Sequence, residues 1–386
     1  MKIGIFSECV VYNPPFPAGV ARFFREITTE LARRGHEVLL FEPRGHSNQP
    51  KIEEIKDGIT IYRGFSIALQ KYMNFPVCIP IKEMITSIPF SLDVVHANNS
   101  GIGVLAAIIS RRQRIPRVIS YHTPLIHYTS YAPLPLFFLR STRLVNRLES
   151  LVYNIFNLTI VPTQGVKNEL QRRGFNGPFG FFPTCLDLQS LPKPSSQECD
   201  VFRQKYALSG KKVILFVGRM SPEKKIEDVL QLIPDVVKKE PLAHFLMVGT
   251  GPFLEDYKNL VRKWQLAQNV TFTGYLSDFD LFTAMHVSDV GLIFADDAQI
   301  FDMTILEYWS SGLPLIIRKA MGIEEVVKKG TGLLFADWSE AINHILTLLQ
   351  DDALRDEMGK NCRKMVEQRY DIRKTIVQLE KLYESR

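Results

Sequence analysis

In the stretch VGRMSPEKK, Arg219 and Lys224 stand with four residues between them behind the apolar run KKVILFV, which reads as a buried strand. Two fixed cations beside a strand end suit a diphosphate, because arginine offers a forked pair of donors and lysine a compact charge. The plainer alternative is a pair of solvated surface charges. Pro222 between them favours a helix starting nearby. Further on, QIFDMTILEYWSSGLP runs from a loop into a helix. The amides of Phe301, Asp302 and Met303 fall at its N-terminus, where free N–H groups can donate to ligand oxygens. Glu307, about a turn further in, can accept from paired hydroxyls of a ribose or sugar, and the positive end of the helix keeps it ionised. An acid that merely favours a helix start is the alternative. Gly218 closes the strand before Arg219, and Gly249 in VGTGP closes another; glycine there lets backbone come close to a ligand. His122 in SYHT also stands at a strand end, where an imidazole donates to a hydroxyl or titrates near neutrality if it is not simply structural. Gly19 lies between the first strand and first helix, with an amide that can approach a phosphate.

Strands must place these residues, and the pattern supplies them. MKIGIFSE, EVLLFEP, GITIYRGF, DVVHANN, RVISYHT and LTIVPT read as strands. Between them GVARFFREITTELARRGH, GIGVLAAIISRRQR, a region at 136–156 and VKNELQRRG have helical periodicity. After the Pro/Ser-rich stretch LPKPSSQECD, read as a linker, the alternation restarts with KKVILFVGR, AHFLMVGTG, VTFTGY, VGLIFAD and LPLIIRK as strands. Strands alternating with helices imply parallel sheets covered on both faces. The predicted fold is therefore α/β, with two Rossmann-like domains, 1–190 and 191–371, facing across a cleft at their C-terminal strand ends. Residues 372–386 form a last helix expected to cross back to the first domain.

Composition narrows the class. With 386 residues, 46% hydrophobic and 23% charged, the chain has ample core for two globular domains. Cys9, Cys78, Cys185, Cys199 and Cys362 are dispersed without metal-ligand spacing, which fits reduced thiols in a cytoplasmic protein. No apolar run spans a bilayer and Glu8 interrupts the N-terminal one, so the protein is expected to be soluble or to rest on the inner face of the membrane. Residues 1–190 hold 21 Lys and Arg against 13 Asp and Glu, a basic surplus that suits an anionic lipid surface or acidic acceptor, or is plain variation of surface charge. Nothing supports nucleic-acid binding, since no stacking-aromatic motif or recognition helix accompanies the charge.

The ordered set GV…RGHEV (19–38), SYHT (120–123), PT-x-x-D (183–187), VGR-x-S-x-EK (217–224), VG-x-GP (248–252) and the Phe, Leu-Glu and Gly-Leu-Pro of 299–314 resembles the retaining GT-B glycosyltransferases of the sucrose-synthase-like family. The resemblance runs over nearly the whole chain. It implies a metal-independent hexosyltransferase with no cofactor, whose UDP- or GDP-linked sugar donor is held mostly by the second domain. Arg219 and Lys224 would hold the diphosphate, Glu307 the ribose, and the amides of Phe301 to Met303 the sugar. Gly19 would approach the phosphate and His122 the transferred sugar. Gln299 stands where the family has a second acid that contacts donor hydroxyls. An amide still bonds hydroxyls but brings no charge to a transition state that builds positive charge. A donor other than the common glucose type, a slow enzyme and a lost activity all fit that change. Ala18, Lys225 and the pair Tyr308-Trp309 are milder departures, and an active enzyme is the expectation. No pair of carboxylates suits double displacement, so the resemblance implies a front-face mechanism.

SYHT followed by Tyr128 and Tyr131, with PT-x-x-D, looks most like the branch that glycosylates lipids such as diacylglycerol, although Cys185 replaces that branch's usual glycine. In YAPLPLFFLRSTRLVNRLESLVYNIF, Phe137, Phe138 and Leu139 precede Arg140, Arg143 and Arg147 at helical spacing. Such a basic amphipathic helix rests on anionic lipid, each cation adding about 1 kcal/mol, or else packs on the core with a solvated basic face. The apolar, Pro-broken residues 67–90 suit a loop lining a lipid cleft, or a buried strand and helix. The alternatives to a lipid acceptor are a polysaccharide or other soluble glycan, or a catalytically weakened sugar-nucleotide-binding protein.

Overall fold

The computed structural model describes residues 1–12, 19–45, 48–55, 58–64, 91–122, 124–125, 141–294, 301–320 and 322–385, with the backbone of 66–68 and 76–78. Gln299 and Arg140 lie outside the described residues, as do Ala18, Tyr128, Tyr131 and Phe137 to Leu139. Most of the apolar stretch 67–90 does too. Contacts divide the chain into two units: Met1–Leu186 with Ile372–Arg386, and Asp187–Asp371.

The first unit is built on β1 (Lys2–Phe6), β2 (Glu37–Pro43), β3 (Ile52–Ile55), β4 (Ile59–Gly64), β7 (Val94–Asn98), β8 (Arg117–Ser120), β9 (Leu158–Val161) and β10 (Phe179–Phe181), in the order β10-β9-β8-β7-β1-β2-β4-β3. A separate antiparallel pair joins β5 (Ser66–Ala68) to β6 (Pro76–Cys78). All pairings of the large sheet are parallel except that of β3 with β4. Ile3, Ile5 and Phe6 on β1 are fully covered, as expected of a parallel strand with helices on both faces. Its helices are α1 (Gly19–Arg33), α2 (Ser100–Gln113), α3 (Thr142–Tyr153) and α4 (Gln164–Arg172). In α1 the buried Phe23, Phe24, Ile27 and Leu31 recur at helical spacing and set the face that meets the sheet. The helix expected at 136–156 starts, within the described residues, at Thr142, because the Ser141 hydroxyl accepts from the Leu144 amide and caps it.

The second unit carries β11 (Lys212–Val217), β12 (Ala243–Val248), β13 (Val270–Gly274), β14 (Val290–Ile293), β15 (Leu315–Arg318) and β16 (Gly332–Phe335), all parallel, in the order β13-β12-β11-β14-β15-β16. The order reverses between β11 and β14, which is where doubly wound sheets bind ligands, at the carboxyl ends of the strands. Helices α5 (Ser196–Lys205), α6 (Ile226–Lys239), α7 (Leu254–Lys263), α8 (Asp278–His286), α9 (Met303–Ser310), α10 (Ile323–Val326), α11 (Trp338–Gln350) and α12 (Asp352–Arg369) surround it. The stretch read as a linker at 191–200 is half helix. Ser195 and Glu198 form a reciprocal capping box that starts α5 inside it.

The last helix, α13 (Ile372–Glu384), belongs to the first unit. It buries Ile372, Ile376, Leu379 and Tyr383 in one stripe. Glu380 takes a forked pair of bonds from Arg34 and lies 2.8 Å from His36 Nε2. The Tyr383 hydroxyl lies 2.7 Å from Nδ1 of the buried His96 on β7, whose Nε2 meets the Ser120 hydroxyl on β8.

Candidate active site

Two loops at the carboxyl ends of β11 and β12 are fastened backbone to backbone. The Gly218 amide donates to the Val248 carbonyl at 3.0 Å and the Met220 amide to the Thr250 carbonyl at 2.9 Å. Gly249 has φ 134°, and a Cβ there would lie 2.0 Å from the Gly218 carbonyl oxygen, so only glycine fits. Gly218 and Arg219 thus leave β11 on a fixed path, and the turn Pro222–Lys224 brings Lys224 back toward the start of α9.

At that start, Asp302 is the cap: its Oδ1 accepts from the Thr304 amide and faces the Thr304 hydroxyl, both at 3.2 Å. Its Oδ2 accepts from Lys224 Nζ at 3.0 Å, with the two side chains 21% and 19% exposed. Burial alone would push the Asp302 carboxyl up. The charge and hydrogen bond of Lys224, with the two Thr304 donors, outweigh burial and hold it below the usual carboxylate range. Phe301 takes φ 39° and turns its ring onto Tyr370, 5.2 Å away. Met303 opens α9, and no acceptor among the described residues takes the amides of Asp302 and Met303. Glu307 lies one turn further, 6% exposed. The structure therefore gathers Gly218, Arg219, Lys224, Gly249, Phe301, Asp302, Met303 and Glu307 in the loops and helix start around the reversal point of one sheet.

Tyr308, missed as a site residue in the sequence, holds these parts together. Its buried hydroxyl accepts from the Val217 amide at 3.0 Å and donates to the Leu215 carbonyl at 3.1 Å, tying α9 to the last turn of β11. Gly291 on β14 makes room, since a Cβ there would lie 2.4 Å from the Tyr308 ring. The next residue, Trp309, donates its indole N–H to the Thr331 carbonyl at 2.8 Å.

In the first unit, His122 follows β8, and its amide donates to Asn99 Oδ1. Its Nε2 is covered and finds no partner among the described residues, with Phe23 and Phe24 edge-on at 4.8 and 5.4 Å. Burial drops its pKa to about 3, which corrects the expectation of a group titrating near neutrality: the ring stays neutral at physiological pH. Behind it, Glu8 accepts from the Gly101 amide at 2.7 Å and the Asn99 side chain at 3.4 Å. Burial pushes Glu8 up to about 7 against those bonds. Gly19 is the exposed first residue of α1. Arg143 and Arg147 are exposed on α3 alongside Leu144, Leu148 and Leu151, which are 36%, 42% and 58% exposed. Cys185 is fully covered and keeps an ordinary negative φ, so its turn does not demand glycine. Among the described residues no group of His, Cys, Asp or Glu is placed to hold a metal ion, and no helix is long and apolar enough to cross a membrane.

Two family profiles divide the chain between them: glycosyltransferase family 4 over residues 17–190 and glycosyl transferases group 1 over residues 200–365. The chain belongs to the GT-B glycosyltransferases, and its two parallel-sheet α/β domains are that fold. Among curated relatives, it is 24% identical over 372 residues to an alpha-monoglucosyldiacylglycerol synthase of Acholeplasma laidlawii, covering 94% of this chain and 91% of that one. It is 27% identical to a sulfoquinovosyl transferase of Arabidopsis thaliana, covering 96% of this chain and 71% of that one. Among solved structures, the Anabaena protein HepE in complex with UDP superposes with a TM-score of 0.77 at 19% identity, with both chains covered in full.

Proposed function

We propose that this enzyme transfers a hexosyl group, with retention, from a UDP-linked sugar to a lipid acceptor of the diacylglycerol type at a membrane surface. One observation carries the donor half: Lys224, the Arg219 loop, two uncommitted amides and Glu307 meet where the strand order of a doubly wound sheet reverses. In this reading Arg219 and Lys224 neutralise the diphosphate, and Glu307 anchors the ribose hydroxyls. The bond from the anomeric carbon to the diphosphate oxygen breaks on the face where the acceptor oxygen bonds. The departing diphosphate takes the acceptor's hydroxyl proton, so neither a metal nor a second carboxylate is needed. His122 supplies a neutral ring nitrogen to a sugar hydroxyl.

The acceptor half is supported by the Acholeplasma laidlawii relative, which is named as a monoglucosyldiacylglycerol synthase. It is supported too by α3, whose exposed leucines and arginines suit an anionic bilayer surface. The test is a thermal-shift screen of UDP-, GDP- and ADP-sugars, then mass spectrometry of products formed on phospholipid and diacylglycerol vesicles. A glycolipid product is expected, lost in Arg219→Ala. Vesicle co-sedimentation should drop when Arg140, Arg143 and Arg147 are changed to alanine together. A protein that binds no sugar nucleotide, or glycosylates only soluble acceptors, overturns the reading.

A further inference from the structure

Lys224 does not wait bare for its ligand. Its ammonium is already bonded to Asp302 Oδ2 at 3.0 Å, while Oδ1 of the same carboxylate takes the Thr304 amide and faces the Thr304 hydroxyl. An ammonium, a helix-start N–H and a hydroxyl are the kinds of donor that phosphate oxygens take. Here a side chain of the protein takes them. Both partners are about four-fifths covered, so solvent screens the pair less than a surface bridge.

We propose that Asp302 is a built-in competitor of the diphosphate: it occupies Lys224 when no nucleotide is bound, must share or give up that ammonium when one arrives, and so weakens nucleotide affinity and promotes product release. The inference rests on the reading of Arg219 and Lys224 as the diphosphate grip. Its physical content is charge. With Asp302 present, Arg219, Lys224 and the carboxylate sum to one positive charge; without it they sum to two. A free nucleoside diphosphate carries about one more negative charge than its sugar ester, because its terminal phosphate is unsubstituted. Repulsion from Asp302 therefore acts more strongly on the product than on the donor.

The experiment is calorimetric titration of the full chain at fixed ionic strength with UDP and with UDP-glucose, and with GDP and ADP and their sugar esters if UDP does not bind. The proteins are the wild type, Asp302→Asn, Asp302→Ser and Arg219→Ala. Asparagine and serine both cap helices, so each removes the charge and keeps the start of α9. Both variants are expected to bind UDP about tenfold tighter than the wild type, and to gain less for UDP-glucose. Unchanged or weaker UDP binding in a folded Asp302→Asn overturns the inference and makes Asp302 a group that positions Lys224. If the wild type binds nucleotide and Arg219→Ala does not, that failure leaves the proposed function standing. If the wild type binds no nucleoside diphosphate, both fall.

Discussion

Residue identities that depart from the family pattern have local physical reasons. Tyr308 reaches across the space at Gly291 to bond two backbone groups near the end of β11. Tyr308→Phe would remove both bonds, at a cost of about 1–3 kcal/mol. A lower urea midpoint for this variant is expected, together with weaker UDP binding, because Val217 is the last residue of β11 and leads directly into Gly218 and Arg219. Unaltered stability would show that the hydroxyl is replaceable there. Lys225 tells the opposite story. It sits at φ 52°, in the left-handed region where glycine is unstrained, and the lysine accepts that strain at the junction of the Pro222–Lys224 turn and α6. The sequence showed both residues as departures, but neither partner nor φ can be read from a residue type.

Among the elements, α3 has two contrasting faces. Outward it shows leucines and arginines; inward it buries Glu149, whose Oε1 accepts from the Leu125 amide while Oε2 has no partner among the described residues. Burial, opposed by that amide and by Arg173 and reinforced by Glu8, raises Glu149 from 4.5 to about 7. A carboxyl raised on folding contributes stability that is complete below pH 4.5 and lost as pH climbs through 7. Glu149→Gln is therefore expected to leave unfolding free energy nearly unchanged at pH 5 and to raise it at pH 8 by on the order of 1–3 kcal/mol, read as a higher melting temperature at pH 8 alone. Equal effects at both values would show that the carboxylate finds water or a cation. Element type was legible wherever hydrophobic runs were long, as for β1, β11 and α1. It failed where local chemistry outranked composition: a capping box starts a helix inside a Pro/Ser stretch, and the acid-rich strand β3 survives because an edge needs only one covered face.

For the whole molecule, the C-terminal helix decides the architecture. The Ile372 amide donates to the Leu186 carbonyl at 2.9 Å, so the chain leaves the first unit and re-enters it at one point. The grouping of the candidate residues in the second unit was largely legible because they are near neighbours of strand ends within one sheet, whereas the Lys224–Asp302 pair joins positions 78 apart and is visible only in three dimensions. A chain ending at Asp371 uncovers the His96 pair and the apolar partners of α13. It is expected to lose the cooperative unfolding transition of the first unit while residues 187–371 keep theirs, as limited proteolysis would report. A protease-resistant first unit in that truncation would make the helix dispensable. The same geometry orders events during synthesis. The amino-terminal lobe emerges from the ribosome first but lacks α13 until the whole of residues 187–371 has been made, so the lobe encoded later can mature sooner, leaving its older neighbour dependent on a helix synthesised after it.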